Sequence, residues 1–285
     1  FKIDSIANNA IALKAAPSMV VQLAKDGKVF YRKSYGSLIP NEGATNSPSL
    51  GIGGLYDFAS VTKIAASTLA LAKLHSEGKF NLDGTMKDYL PFLKKSNKAD
   101  LVWRQVLTHQ AGLKAFINFW RDCRKPNGKW KPRTFRWGKE AHGAYTVQIT
   151  DSLWLHKKYH NKLFASLKNS ALNEKKEYVY SDLSFMLYPQ VVKNLTGIEF
   201  EEYLKSNVYR KIGANSLTFN PLRFNKLSQI APTERDTFFR QTLVHGRVHD
   251  EAAAMLNGIS GHAGLFGNAN DLMKVTQLFL QKGSY

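Results

Sequence analysis

The stretch Phe58-Ala59-Ser60-Val61-Thr62-Lys63, with Ile64 to Ala66 behind it, decides how this chain is read. It follows a loop rich in glycine, serine, proline and asparagine (37–54). It opens an apolar helix expected from Ser60 to Glu77, with Gly78 as the C-cap. On a helix, residues i and i+3 share a face, so the Lys63 amine meets the Ser60 hydroxyl. Ser60 then stands at a helix N-terminus, where backbone N–H groups are unpaired and the positive dipole end lies. Such an end stabilises an oxyanion, and an amine becomes a useful base once burial or a neighbouring cation lowers its pKa. Ser60 and Lys63 are therefore a candidate nucleophile and base. A second Ser-x-x-Lys, Ser76-Glu77-Gly78-Lys79, falls at a helix end beside a glycine and reads as coincidence.

Upstream, residues 4–16 read as an entry helix. Met19 to Leu23, the Lys25-Asp26-Gly27-Lys28 turn and Val29 to Tyr31 read as a β-hairpin. Downstream, the pattern from Trp103 to about Leu217 is mainly helical and irregular. It includes a buried helix over 183–195 ending at Gly197 and another over 199–212. A last amphipathic helix covers Asp271 to Gln281. A small sheet element near the start and a helical middle imply an α/β (α+β) layer with a large helical insertion. No repeat or linker divides the chain. One domain is expected over 1–285, with a helical subdomain at approximately 65–225 between sheet-forming segments.

Tyr180-Ser181-Asp182 is the second chemistry-bearing element. A phenol beside a cation shuttles protons between nucleophile and leaving group, and Lys63 supplies such a cation. The plainer alternative makes Asp182 the N-cap of the next helix, which is compatible with a turn that presents Tyr180.

With these residues in place, the chain resembles the β-lactamase-related serine hydrolases, the class C β-lactamase and penicillin-binding-protein type. The resemblance is carried by Phe58 to Lys63, Leu82-Asp83-Gly84, Leu107-Thr108-His109-Gln110-Ala111-Gly112-Leu113 and Tyr180 to Asp182. Val248-His249-Asp250-Glu251-Ala252, Gly258 to Phe266 and Asp271-Leu272 are similar to a penicillin-binding-protein subgroup, of which related modules occur fused to family-3 glycoside hydrolases. The resemblance implies an antiparallel sheet flanked by helices. It implies an acyl-enzyme on Ser60, Lys63 as proton acceptor and Tyr180 as acid/base group, with the order of proton transfer open. Asp182, His249 and His262 become candidate substrate-binding residues. No cofactor or metal is expected.

Two departures shape the expected activity. Asp182 replaces the asparagine of class C β-lactamases, which favours a charged Lys63 and removes an amide donor. The expectation moves from β-lactamase toward a D-Ala-D-Ala-type peptidase or an esterase. The family's late Lys-Thr-Gly or His-x-Gly strand is not found, since His262-Ala263-Gly264 falls in the glycine-rich turn before Asp271. The late sheet strands are therefore expected to be missing, and with them one oxyanion donor. A non-catalytic module of the same fold that binds cell-wall material stands as the alternative.

The remaining candidates are weaker. Cys123 is the one cysteine, in a polar segment, and reads as inert. His245 and His249 have the i, i+4 spacing of a metal pair, but Gly246 interrupts it, so packing or cleft roles are preferred. His109 reads as a hydrogen-bonding residue of its turn. The basic stretch 121–139, near Trp120 and holding Trp130 and Trp137, has the composition of a surface that stacks bases and binds phosphates. A solvated insertion with tryptophans turned inward is preferred, and no nucleic-acid partner is expected. An anionic wall polymer fits a chain with 40 basic and 22 acidic residues and net charge +18. No apolar run reaches the roughly 18 residues that span a bilayer. No signal peptide is visible, and a periplasmic or exported setting with a small or peptidoglycan-derived substrate is implied by the family.

Overall fold

A computed structural model describes residues 2–37 and 50–285. Part of the expected 37–54 loop lies outside the described residues. Helix α1 (Lys2–Ala12) precedes the hairpin β1 (Ser18–Lys25) and β2 (Lys28–Gly36). The strands pair antiparallel across Asp26 and Gly27, whose φ values of 52° and 74° suit the Asp-Gly turn. Strand β3 (Tyr56–Asp57) then leads into the Ser60 segment, and α2 (Leu69–Ser76) ends it. Two short helices follow, α3 (Met86–Tyr89) and α4 (Trp103–Leu107).

The expected helix from Ser60 to Glu77 is not uniform. A 3-10 turn covers Ala59–Val61, and a π-helical stretch, Lys63–Thr68, joins it to α2. Tertiary hydrogen bonds hold these turns: Thr62 Oγ1 accepts from the Leu265 N–H at 3.1 Å and Ser67 Oγ donates to the Gly261 carbonyl at 2.7 Å. Widened turns of this kind recur at functional sites.

The middle of the chain is not purely helical. Strands β4 (Phe135–Trp137), β5 (Tyr145–Gln148) and β6 (Leu153–His156) form an antiparallel sheet of order β4-β6-β5, followed by α5 (Lys158–Asn169). Helix α6 (Tyr188–Thr196) ends at Gly197, whose φ of 72° is the left-handed cap the sequence announces. Helix α7 (Phe200–Leu204) continues into a π-helical turn, Lys205–Tyr209.

Strand β7 (Thr218–Phe219) is followed by the antiparallel pair β8 (Pro232–Asp236) and β9 (Thr242–His245), helix α8 (Glu251–Met255), strand β10 (Leu265–Gly267) and helix α9 (Ala269–Leu280). Strand β10 lies between β3 and β7 in a second antiparallel sheet, so the end of the glycine-rich turn is laid beside the Ser60 segment. One hydrophobic cluster runs from Leu55 to Leu278 and includes Leu74, Trp103, Tyr188 and Phe219. No helix among the described residues is long and apolar enough to cross a membrane.

Candidate active site

Strand β3 delivers Ser60 through a strained turn. Ala59 sits at φ +43°, a left-handed conformation that costs a residue with a Cβ roughly 1–2 kcal/mol. Asp57 holds the turn. Its Oδ1 accepts the Ala59 N–H at 2.8 Å and its Oδ2 accepts the His249 N–H at 2.7 Å. Burial raises the Asp57 pKa, and the two amides offset only part of that rise. The Phe58 N–H reaches the Leu265 carbonyl at 2.9 Å, extending the β3–β10 pairing to the residue before the turn. Ser60 itself is exposed and lies in the first helical turn, where backbone donors lack a carbonyl four residues back.

Lys63 is buried at 4% exposure, and four groups surround its amine. Nζ donates to Ser60 Oγ at 3.0 Å and to the His262 carbonyl at 3.3 Å. It pairs with Asp182 Oδ1 at 2.6 Å and stands 4.7 Å from the Tyr180 ring centroid. Lys63 therefore joins two segments more than a hundred residues apart in sequence.

The capping role considered for Asp182 falls elsewhere. Ser181 Oγ accepts the Leu183 N–H at 3.2 Å and donates to the Lys114 carbonyl at 2.6 Å. The Asp182 carboxylate is free to face Lys63 because its neighbour does the local hydrogen bonding. Tyr180 is 44% exposed and packs on His109 with ring centroids 4.7 Å apart. His109 Nδ1 accepts the Ser181 N–H at 3.0 Å, which requires that nitrogen unprotonated. Burial, then the Lys63 charge, pulls the His109 pKa down and preserves that acceptor. His109 thus holds the turn that carries Tyr180 and Asp182.

The two other histidines separate. His249 is half-buried, its ring 3.0 Å from Glu234 Oε2 and its backbone bound to Asp57. The His262 ring does not face a substrate as expected. It is 1% exposed, with Nε2 2.7 Å from Asp250 Oδ1 and Nδ1 2.8 Å from Ser260 Oγ, so both nitrogens are engaged inside the protein. Its carbonyl, not its ring, reaches the site. Asp250 also caps α8 by accepting the Ala253 N–H at 2.7 Å. Burial pushes its pKa up, but the charge of His262 and its hydrogen bond outweigh this and hold the carboxyl below the usual range.

Asp57 and Asp250 are structural members of the site that the motif reading passed over. Both left a signal. An aspartate two residues before Ala59 fits an Asx-type turn, and Asp250 before Glu251-Ala-Ala-Ala fits an N-cap. His245 Nε2 lies 2.7 Å from the Ile230 carbonyl, apart from His249. No group of three His, Cys, Asp or Glu among the described residues is placed to hold a metal ion. Cys123 is fully buried, and burial followed by the Asp122 charge pushes its thiol up to about 12, far from a reactive thiolate. The arrangement offers an exposed hydroxyl, an amine touching it and a carboxylate behind that amine, a chain along which a proton can pass.

The comparisons with known proteins agree with this geometry. A family model described as Beta-lactamase matches residues 4–285. A curated protein of Escherichia coli (strain K12) named "Putative D-alanyl-D-alanine carboxypeptidase" is 30% identical over 292 residues, covering 94% of this chain and 61% of that protein. An "N-acetylmuramyl-L-alanine amidase" of Bacillus subtilis (strain 168) is 29% identical over 306 residues, covering 100% of this chain and 63% of its own length. The chain thus spans about three fifths of these relatives. Among solved structures, the octameric penicillin-binding protein homologue from Pyrococcus abyssi superposes with TM-score 0.68 at 20% identity, over 99% of this chain and 56% of that one. A class C β-lactamase from Rhodobacter sphaeroides gives TM-score 0.66 at 17% identity, over 97% and 64%. These likenesses show the β-lactamase/transpeptidase-like fold. By the family match over nearly its whole length, the chain belongs to the β-lactamase family.

Proposed function

We propose that this chain is a serine hydrolase working through an acyl-enzyme on an amide or ester, of the D-Ala-D-Ala peptidase or esterase kind. The observation that supports it most is the 3.0 Å contact between Lys63 Nζ and Ser60 Oγ, on an amine otherwise enclosed by protein. Ser60 Oγ attacks the substrate carbonyl carbon as its proton passes to the Lys63–Tyr180 pair. The tetrahedral oxyanion accepts the Ser60 N–H. The C–N or C–O bond breaks as the pair returns the proton to the leaving amine or alcohol. Water then attacks the Ser60 ester, gives its proton to the same pair, and releases the acid and free Ser60. Asp182 anchors Lys63 and offers no amide N–H, which supports peptidase or esterase chemistry over β-lactam hydrolysis. The cell-wall names of the curated relatives support a peptidoglycan-derived substrate met in an exported setting.

A fluorescent penicillin and a fluorophosphonate probe test the proposal. The wild-type protein is expected to label and Ser60→Ala to remain dark, with Lys63→Ala slowed by about 10²–10⁴. Equal labelling of wild type and Ser60→Ala would sink it. The Lys63–Asp182 pair favours one second reading, a binding module with a locked amine. Equilibrium binding of muropeptides without Ser60-dependent turnover of ester or D-Ala-D-Ala substrates supports that module, and turnover eliminates it.

A further inference from the structure

We infer that the face built from residues 121–139, sheet β4-β6-β5 and the start of α5 is a docking surface for an anionic cell-wall polymer with a phosphodiester backbone. Residues 121–139 hold eight lysines and arginines against a single acidic residue, Asp122. Lys157, Lys158 and Lys162 join them at the start of α5. Among the described residues, none of these cations has a carboxylate within ion-pair distance. Elsewhere the chain does pair its charges, as in Arg104–Asp83 at 2.8 Å and Lys274–Asp271 at 2.8 Å. The first turn of α5 has no acidic residue, so its lysines stand against the positive dipole end that normally repels them. Lys131 and Lys162 line one depression of about 460 Å³, with Asp122 between them in sequence space on its rim. The insertion and the helix therefore present one positive field.

The aromatic residues choose the partner. Trp120 and Trp130 are spent on the interior. Trp120 packs on Phe238 at 5.3 Å, Trp130 packs on Phe135 at 4.7 Å, and the Arg124 guanidinium lies 4.1 Å from the Trp130 centroid. Only Trp137, 68% exposed, is left facing out from the stretch. A single-stranded nucleic acid is held by successive rings on which bases stack, and that platform is absent from this face. What remains is dense unpaired charge with little stacking surface, which suits a flexible polyanion without bases. The choice of a wall source rests on the cell-wall setting proposed above. The binding itself does not depend on Ser60 chemistry.

The test uses poly(glycerol phosphate) of defined length against the whole chain, with an oligo-dT of equal charge and polygalacturonate as comparators, titrated from low to moderate salt. Tighter binding of poly(glycerol phosphate) than of either comparator is expected. Lys131→Gln/Arg133→Gln/Arg136→Gln should weaken it by at least about tenfold and lower the log–log salt slope by about 2, since each lost phosphate contact removes just under one unit. Lys25→Gln/Lys28→Gln/Lys211→Gln removes the same net charge elsewhere and should stay within about twofold. Lys162→Gln should weaken binding without lowering Tm, because it relieves the α5 dipole; this separates binding from folding. Equal losses in the two triple variants would reduce the effect to net charge and overturn the assignment. Equal or tighter binding of oligo-dT or polygalacturonate would overturn the choice of partner. Loss of Ser60 labelling with intact polymer binding would refute the catalytic proposal alone.

Discussion

Asp57→Asn is the sharpest perturbation of the site. The carboxylate accepts two backbone amides, Ala59 at 2.8 Å and His249 at 2.7 Å. An asparagine has one carbonyl, so in either orientation its amide group faces another donor. One charge-assisted bond, worth about 1.5–3 kcal/mol, is lost. Part of that loss is returned, because a buried ionised group is no longer needed; the raised Asp57 pKa records that cost. A net stability loss of about 1–2 kcal/mol is expected. Acylation should suffer more than stability, because the lost bond holds Ala59 at φ +43° and so aims Ser60. A misaimed nucleophile costing about 1.4–2.8 kcal/mol of barrier slows labelling about 10- to 100-fold.

The assay pairs urea unfolding with the second-order rate of fluorophosphonate labelling. Ala59→Gly added to Asp57→Asn should recover part of the rate, since glycine adopts positive φ without a Cβ clash. The pH profile gives an independent sign. The folded pKa of Asp57 lies above its unfolded value, so this group's contribution to stability is present at low pH and falls as pH rises through the raised pKa. Acylation runs the opposite way, because a protonated carboxyl cannot accept both amides. Labelling should therefore rise with pH in a limb above the usual carboxylate range, and Asp57→Asn should lack it. A wild-type labelling rate in Asp57→Asn would refute the reasoning.

Three further outcomes follow from other buried groups. Lys98 is fully buried, and its amine donates to Asn97 Oδ1 at 2.9 Å, the Lys168 carbonyl at 3.2 Å and the Ser170 carbonyl at 2.6 Å. Burial pushes its pKa down to about 8, so wild-type stability should rise between about pH 8 and 10.5; Lys98→Met should lose that slope and about 1–3 kcal/mol at neutral pH, read by urea unfolding. His109 has a depressed pKa, so its contribution is present above the unfolded value and is lost as pH falls; His109→Gln should flatten the stability profile below about pH 6.5. A Cβ at Gly261 would stand 2.1 Å from the Phe185 carbonyl and 2.5 Å from Ser67 Oγ. Gly261→Ala should therefore cost about 1–3 kcal/mol and displace the neighbouring His262 carbonyl from Lys63, lowering both Tm and Ser60 labelling.

What was legible in the sequence was local. The Asp26-Gly27 turn, the Gly197 cap and the Ser60–Lys63 face each follow from a few neighbouring residues, and the structure has them. The sheet at 135–156 was missed because its strands have three or four residues, too few to show a period of two against the surrounding pattern. Its pairing of Phe135 with Leu155 leaves no mark on either segment alone. The π-helical turn at 63–68 depends on Gly261 and on Leu265, about two hundred residues away. Asp182 read as a cap because its true partner is distant, whereas a cap needs only neighbours. His262 shows the converse: its place in a glycine-rich motif suggested a ligand-facing ring, but the motif serves to bring its carbonyl to Lys63.

These long-range bonds explain why one segment, 249–262, governs the whole site. It holds the nucleophile through the His249 N–H on Asp57. It holds the base through the His262 carbonyl on Lys63. The Asp250–His262 contact at 2.7 Å ties the two grips together. Arg240 fastens the segment from behind, donating to the Val248 and His249 carbonyls at 2.9 Å each while paired with Asp236 at 3.2 Å in a fully buried position. The adjoining residues Phe238 and Phe239 are those on which Trp120 and Trp130 pack. The basic face and Ser60 are thus anchored to one polar frame. A polymer held on that face would meet the nucleophile at a fixed offset, so a substrate carried on the chain is presented by geometry set in the fold, not by chance encounter.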